Sequence, residues 1–282
     1  MKSFVVQVAV RSYIGSRLVN EDCVAVREER GFWCLVLSDG AGGHGNGEVA
    51  AHLVVQRVIS GFRSRPPTDP HDLSELLLDA HDAVVAGQRE MGSLNTRSAM
   101  HATVVVLLID TTNGVALWGH VGDSRLYSWR EGTLNSVTRD DSVLQSVLDT
   151  GVVDAERIKK LKSRGVLLAA LGSAEEAQPH VSGPLQLQPS DAFLLCSDGW
   201  WSSLEAEALS KLLSSAATPE GWLDSMSDVT SQQADPRQDN YSAIACWIVS
   251  EAEAHAAVDC ATEADTLWPR PGPEPVQPSG GD

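Results

Sequence analysis

An α+β chain of antiparallel strands and separate helical runs is what the sequence predicts, and three observations predict it. Two pairs of helical patterns, at 47–90 and 205–232, are each flanked by strand-rich stretches. Residues 103–137 read as a meander of short strands with tight connections. Several apolar, strand-like runs end in an acid followed by a glycine or asparagine turn.

Residues 4–10 (FVVQVAV) are β-rich, and a loop with its turn at Gly15-Ser16-Arg17 leads to a second strand at about 22–27. Phe32 to Leu37 has the length and composition of a buried strand, so Asp39 emerges at its end. Gly40, Gly42, Gly43, Gly45 and Gly47 then let the chain turn and approach closely whatever Asp39 holds. Val49, Leu53, Val54, Val58 and Ile59 repeat at helical spacing over 48–62 and predict a helix lying on a sheet. A proline-rich link precedes a second helix at 72–90, with Leu73, Leu76, Leu77, Ala80 and Val84 inward. Two helices in succession cover one face of a sheet.

Strands follow at 103–109 and 115–121, then in GDSRLYSW and TLNSVT, with hairpin-length connections. Residues 140–165 are polar short helices around Gly151 and read as a flap. Leu167–Gly172 is short and apolar, and 185–187 alternates like an edge strand. DAFLLCSD at 191–198 repeats the device of strand, then acid, then glycine. Helical patterns at 205–214 and 219–232 precede a polar turn, Asp235 to Asn240, and a last apolar strand at 241–249. Beyond about Ser250 the chain turns acidic and alanine-rich, then proline-rich. Residues 1–250 are therefore expected as one folded domain and 251–282 as a disordered tail, because the tail lacks the apolar area to offset its ordering entropy.

Composition excludes some functions. A net charge of −17 argues against a nucleic-acid partner, whose binding needs a concentrated basic face. No apolar run approaches the roughly 20 residues of a membrane helix, and the N-terminus has no cleavable leader pattern, so no membrane association and a cytoplasmic location are expected. Five cysteines without CxxC spacing, four of them in apolar segments, read as reduced buried thiols.

Glu21, Asp22, Asp39, Asp123, Asp198 and Asp239 all lie where an apolar strand meets a Gly or Asn turn. Taken singly, each fits an ordinary role: a solvated turn residue for Asp39, an Asx-type turn for Asp123, a surface ion pair for Arg17 with Glu21. Strand ends on one sheet edge converge, however, and converging carboxylates repel unless cations neutralise them. Oxygen donors with no His or Cys among them select magnesium or manganese. Two such ions activate a shared water for in-line attack on a phosphoryl group, and the planar fork of Arg17 suits two phosphate oxygens.

The segments SRLVNEDCVAV, LSDGAGGHGNGEVAA, VGDSRLYSW, VTRDDSVLQSVLDTG, LLAALG, LLCSDGWWSSL and QDNYSAIACWIV occur in one order over about residues 5–250. In these the chain resembles the metal-dependent serine/threonine protein phosphatases of the PPM type, the protein phosphatase 2C family, in their bacterial form. The resemblance implies a four-layer α/β/β/α sandwich of two antiparallel sheets flanked by helices, with the metal cleft at one edge. It implies Mn2+ or Mg2+ as cofactor, two core ions and a weaker third. By the same resemblance Asp39 bridges both core metals, Asp198 and Asp239 complete the first site, and the Gly40 carbonyl and Glu21 serve the second, with Asp22 supporting. Asp123 with Asp198 forms the third site, Arg17 binds phosphate, and residues 141–165 are the flap. Phosphorylated proteins and a cognate bacterial serine/threonine kinase are the implied partners, and the protein is expected as a monomer.

Departures from the family pattern are Ala41, where animal members have a His that is a candidate general acid, and His101-Ala102-Thr103 in place of Gly-Thr-Thr. His44 takes the family's GGH position and reads as loop support. Two other functions share the sequence features. A phosphoprotein-binding pseudophosphatase would usually have lost ligands, which this chain retains, and a phosphatase of anti-sigma-factor antagonists shares both fold and acids.

Overall fold

The computed structural model describes residues 4–42, 46–94, 99–149, 167–173, 177–233, 235–250, 254 and 266–268. The elements in order are β1 (Phe4–Tyr13), β2 (Asp22–Glu29), β3 (Phe32–Gly42), α1 (Asn46–Ser64), α2 (Pro70–Glu90), β4 (Met100–Ala102), β5 (Val104–Asp110) and β6 (Val115–Val121). They continue with β7 (Arg125–Arg130), β8 (Thr133–Val137), α3 (Val143–Asp149), β9 (His180–Val181), β10 (Leu185–Gln186) and β11 (Ala192–Cys196). The chain closes with α4 (Asp198–Trp201), α5 (Ala206–Ser215), α6 (Pro219–Gln232), β12 (Tyr241–Ser250) and β13 (Thr266–Trp268).

Strand β3 shows why the fold has four layers. Successive side chains on a strand point to opposite faces, and both faces of β3 are apolar. Leu35 and Leu37 enter a core shared with Val6, Leu126, Phe193, Leu195 and Ile244 of the other sheet. Cys34 and Val36 enter a second core under Val54, Val58, Leu73 and Leu77 of α1 and α2. Such a strand must be covered twice. The second sheet is treated likewise: its outer face, with Leu194, Ala243 and Ala245, packs on Trp200, Trp222, Leu223 and Met226 of the C-terminal helices. The result is the expected α/β/β/α sandwich, with sheet orders β1-β12-β11-β7-β8 and β10-β6-β5-β3-β2-β13, its strand pairs among the described residues antiparallel.

Local chemistry sets the helix starts. Asp69 and Thr218 cap α2 and α6 by accepting hydrogen bonds from Asp72 N at 2.9 Å and Gly221 N at 3.1 Å, each with proline next in the chain. This is the preferred arrangement of a short polar cap followed by a residue that needs no amide partner. Val49, expected on the inward stripe of α1, is 39% exposed, and the buried stripe runs instead through Ala50, Ala51, Val54, Val55 and Val58. Cys23, Cys34, Cys196 and Cys246 are free, buried thiols, as composition predicted.

Leu167–Gly172, short and apolar, is attached by single bridges, Leu167 to Ser142 and Leu171 to Ala102 of β4. Within the stretch expected as a disordered tail, Thr266–Trp268 pairs with Val24–Val26. The physical reason lies in β2, whose outer edge would otherwise present unpaired backbone groups that template a further strand. The flap expected at 141–165 falls largely outside the described residues, as do His44 and Cys260.

The inter-sheet core carries a direct test. Leu37→Ala is expected to destabilise the protein by about 2–5 kcal/mol in urea unfolding. Val137→Ala on the exposed edge strand β8 should cost less than about 0.5 kcal/mol. Equal effects would contradict the placement of the core.

Candidate metal centre

Both sheets end at the same place, and the acids sit on those ends. The register of β2 on β3 sets Asp22 opposite Asp39. Asp198 follows β11, Asp239 and Asn240 precede β12, and Asp123 lies in the turn where the chain passes from β6 in one sheet to β7 in the other. Gly40 and Gly47 let two backbone segments touch. A Cβ on Gly40 would stand 2.0 Å from the Gly47 carbonyl oxygen, and one on Gly47 would stand 2.6 Å from Glu21 Oε1. No side chain fits there, so the glycine-rich sequence is required by contact.

Neutral polar side chains hold this arrangement. Thr103 takes Asp39 from both directions: its Oγ1 accepts from Asp39 N at 3.0 Å, and its own amide donates to Asp39 O at 2.8 Å. The same Oγ1 pairs with Ser124 Oγ at 2.7 Å, beside Asp123. Ser197 Oγ donates to Asp22 Oδ2 at 2.8 Å. Asn240 accepts from Glu21 N at 2.9 Å and donates to the carbonyls of Ile14 and Val19 at 2.8 and 3.0 Å. The Asp123 turn is gripped from two sides. Trp201 Nε1 donates to Asp123 O at 2.8 Å, and the Arg125 guanidinium lies 3.8 Å above the Trp201 ring while bonding both Asp140 oxygens at 2.8 Å. On the other side Asp141 Oδ2 accepts from Gly122 N at 3.0 Å.

Electrostatics show how closely the acids are gathered. Burial first, then the charges of Asp22, Asp198, Asp123 and Asp239, raise the Asp39 carboxyl well above the ordinary range. Desolvation likewise leads in lifting Asp22 to about 7, Asp198 to about 6 and Asp123 to about 8, and it raises Glu21 as well. The Asp198 carboxyl is raised first by its burial and then by the charge of Asp239. Asp22 Oδ1 and Asp198 Oδ1 are buried with no hydrogen-bond partner.

These observations test whether the site suits divalent cations. Orphaned buried carboxylate oxygens and mutually repelling acids are satisfied together by a hard cation, which inverts the local pKa direction. The donor set fits. Its present geometry is gathered but not closed, since no three His, Cys, Asp or Glu side chains among the described residues stand in a metal-ligand arrangement. An ion pair from Arg17 Nη2 to Asp239 Oδ2 occupies Asp239 instead. Arg17 thus lies within reach of the acids, paired with one of them.

Glu21, Asp22, Asp39, Gly40, Asp123, Asp198 and Asp239 are therefore brought to one region, with Arg17 at its rim. Sequence reasoning missed Thr103, Ser197, Trp201, Asn240 and Asp141. Thr103 was noticed only as part of a departure from the family pattern, and in the structure it is the residue that fixes Asp39. A signal for Trp201 existed in WW directly after the SDG acid, but its partner is 78 residues away.

A two-sheet sandwich that gathers carboxylates at one edge, Asp22 and Asp123 buried and the others half-buried, has the donor set of a divalent-cation protein. The protein phosphatase 2C family model matches residues 11–237, and the chain belongs to that family. It is 32% identical over 198 residues to the serine/threonine protein phosphatase PstP of Mycobacterium tuberculosis, a match covering 70% of this chain and 37% of that protein. The chain thus spans well under half the length of that relative. The crystal structure of the Mycobacterium tuberculosis serine/threonine phosphatase PstP/Ppp aligns with a TM-score of 0.75 at 26% identity, covering 87% of this chain and 99% of that one. A PstP catalytic domain in complex with two manganese ions aligns with a TM-score of 0.73 at 25% identity, over 88% of this chain and 100% of that one.

Thr103→Val keeps the shape and removes the acceptor of the half-buried Asp39 amide. It is expected to cost about 1–3 kcal/mol in urea unfolding, and Thr103→Ser should recover most of it. Equal losses in both variants would show that the hydroxyl is not what holds Asp39.

Proposed function

We propose that the protein hydrolyses phosphoserine and phosphothreonine on other proteins with two divalent ions, manganese or magnesium. The observation that carries this reading is the convergence of acids from five separate stretches of chain at one edge of the sandwich, in a chain of this family. Asp39 is assigned to both ions, Asp198 and Asp239 to the first, the Gly40 carbonyl and Glu21 to the second, with Asp22 behind them. Asp123 and Asp198 are assigned to a weaker third ion. When bound, the ions supply positive charge for the phosphoryl oxygens and lower the pKa of the attacking water.

The chain's own residues do the rest. Arg17 leaves Asp239 and turns its fork to the phosphate, which frees Asp239 and aligns the phosphoryl group for in-line displacement. Ser197 orients the Asp22 carboxylate, and Asn240 fixes the backbone at Glu21. Ala41 offers no proton, so no side chain at that position protonates the leaving group.

Residues 1–250 form the catalytic unit in this reading, and the protein works in the cytoplasm as a monomer, resetting the products of a serine/threonine kinase. Among the described residues no helix is long and apolar enough to cross a membrane. The anti-sigma-antagonist and pseudophosphatase readings share the fold. The retained acids favour turnover over mere binding.

Hydrolysis of an aryl phosphate should be abolished by a chelator and restored by manganese. Asp39→Asn and Asp198→Asn should each lower kcat/KM by about 100-fold or more. An unchanged rate in either variant would refute the assignment. Heat released on titrating manganese into the metal-free protein should fit two tight ions, and a protein that takes up none would favour the binding-module reading.

A further inference from the structure

Arg17 lies in a loop whose neighbours are unusual for a surface. Among the described residues seven large apolar side chains are exposed, and three of them, Ile14, Leu18 and Val19, flank Arg17 within six positions. Leu18 is 98% exposed, which leaves nearly its whole side chain in water. Isolated exposed aliphatics are ordinary, but a cluster beside a functional group marks a contact surface.

The exposure does not come from a slack loop. Asn240 ties down both ends through the carbonyls of Ile14 and Val19, and Ser16 N donates to Gln238 O at 2.8 Å. Arg17 N closes a tight turn on Ile14 O at 3.3 Å. Gly15, with φ +60°, approaches the Asp239 carbonyl so closely that a Cβ would stand 2.2 Å from its oxygen. The loop is pinned to the Asp239–Asn240 turn, with Arg17 paired to Asp239 and Leu18 in water beside it.

We propose that Ile14, Leu18 and Val19 form an apolar ledge for the substrate chain, and that the protein prefers phosphorylated sites with a large aliphatic side chain one or two residues from the phosphoamino acid. The inference rests on the proposed function, which gives Arg17 the phosphate. Leu18 is the next residue, about 3.8 Å away along the backbone, and an extended peptide advances about 3.3 Å per residue. A substrate held by its phosphate on Arg17 therefore lays its near neighbours on the ledge. Covering Leu18 removes apolar area from water that folding left exposed, worth about tenfold in affinity. An aryl phosphate has no flanking residue to lay on it.

The test uses the full chain with manganese and two fluorescent phosphothreonine peptides, identical except for Leu or Ser at the position after phosphothreonine. The wild-type protein is expected to favour the Leu peptide by about tenfold in kcat/KM, mainly through KM. Leu18→Ser should reduce that preference to about twofold and leave aryl phosphate hydrolysis unchanged. A wild-type protein without preference, or a preference that survives in Leu18→Ser, overturns the ledge. If the wild-type protein turns over neither peptide nor aryl phosphate, it is the proposed reaction that fails. Fluorescence anisotropy of the same peptides then judges the surface alone, and a Leu peptide bound no tighter than its Ser partner overturns it.

Discussion

Everything in this molecule is arranged around like charges held together out of water. Two unit charges about 5 Å apart repel by about 3 kcal/mol at the effective dielectric of a protein. A few such pairs match the whole stability of a typical domain, about 5–15 kcal/mol. Asp22, Asp39, Asp123, Asp198 and Asp239 act on one another in this way, and burial adds to the cost. Protons or cations must neutralise them. In the metal-free arrangement burial and mutual repulsion favour the protonated carboxyls of Asp39 and Asp123, and Arg17 covers Asp239.

The fold supplies what resists that repulsion. Two sheets meet across an apolar layer, and each is backed by helices, so the strand ends bearing the acids cannot move apart without opening a core. Between core and acids stands a layer of Thr103, Ser197 and Asn240. These side chains hydrogen-bond backbone or carboxylate without adding charge. Neutral donors can position an anion without competing with a cation for it.

Much of this was legible in the sequence, for a definite reason. The run Phe32 to Leu37 had to be a strand buried on both faces, and the acids marked its end and that of Ala192–Cys196. Periodicity located both helix pairs to within a few residues. What stayed hidden depended on distant partners. The Arg17–Asp239 pair joins positions 222 residues apart, and Trp201 to Asp123 spans 78. Asp198 was expected in a turn, but it opens the short helix Asp198–Trp201, whose four residues are too few to show a period. Thr266–Trp268 was invisible because its reason for ordering lies in the open edge of β2, not in its own composition.

The central claim is that these acids hold paired divalent cations, and anomalous X-ray diffraction from crystals soaked in manganese tests it most directly. Two strong anomalous peaks are expected a few ångströms apart, one bounded by Asp39, Asp198 and Asp239 and the other by Asp39, Gly40 and Glu21. Peaks elsewhere, or a site that stays empty of manganese while the acids keep their protons, would contradict the account.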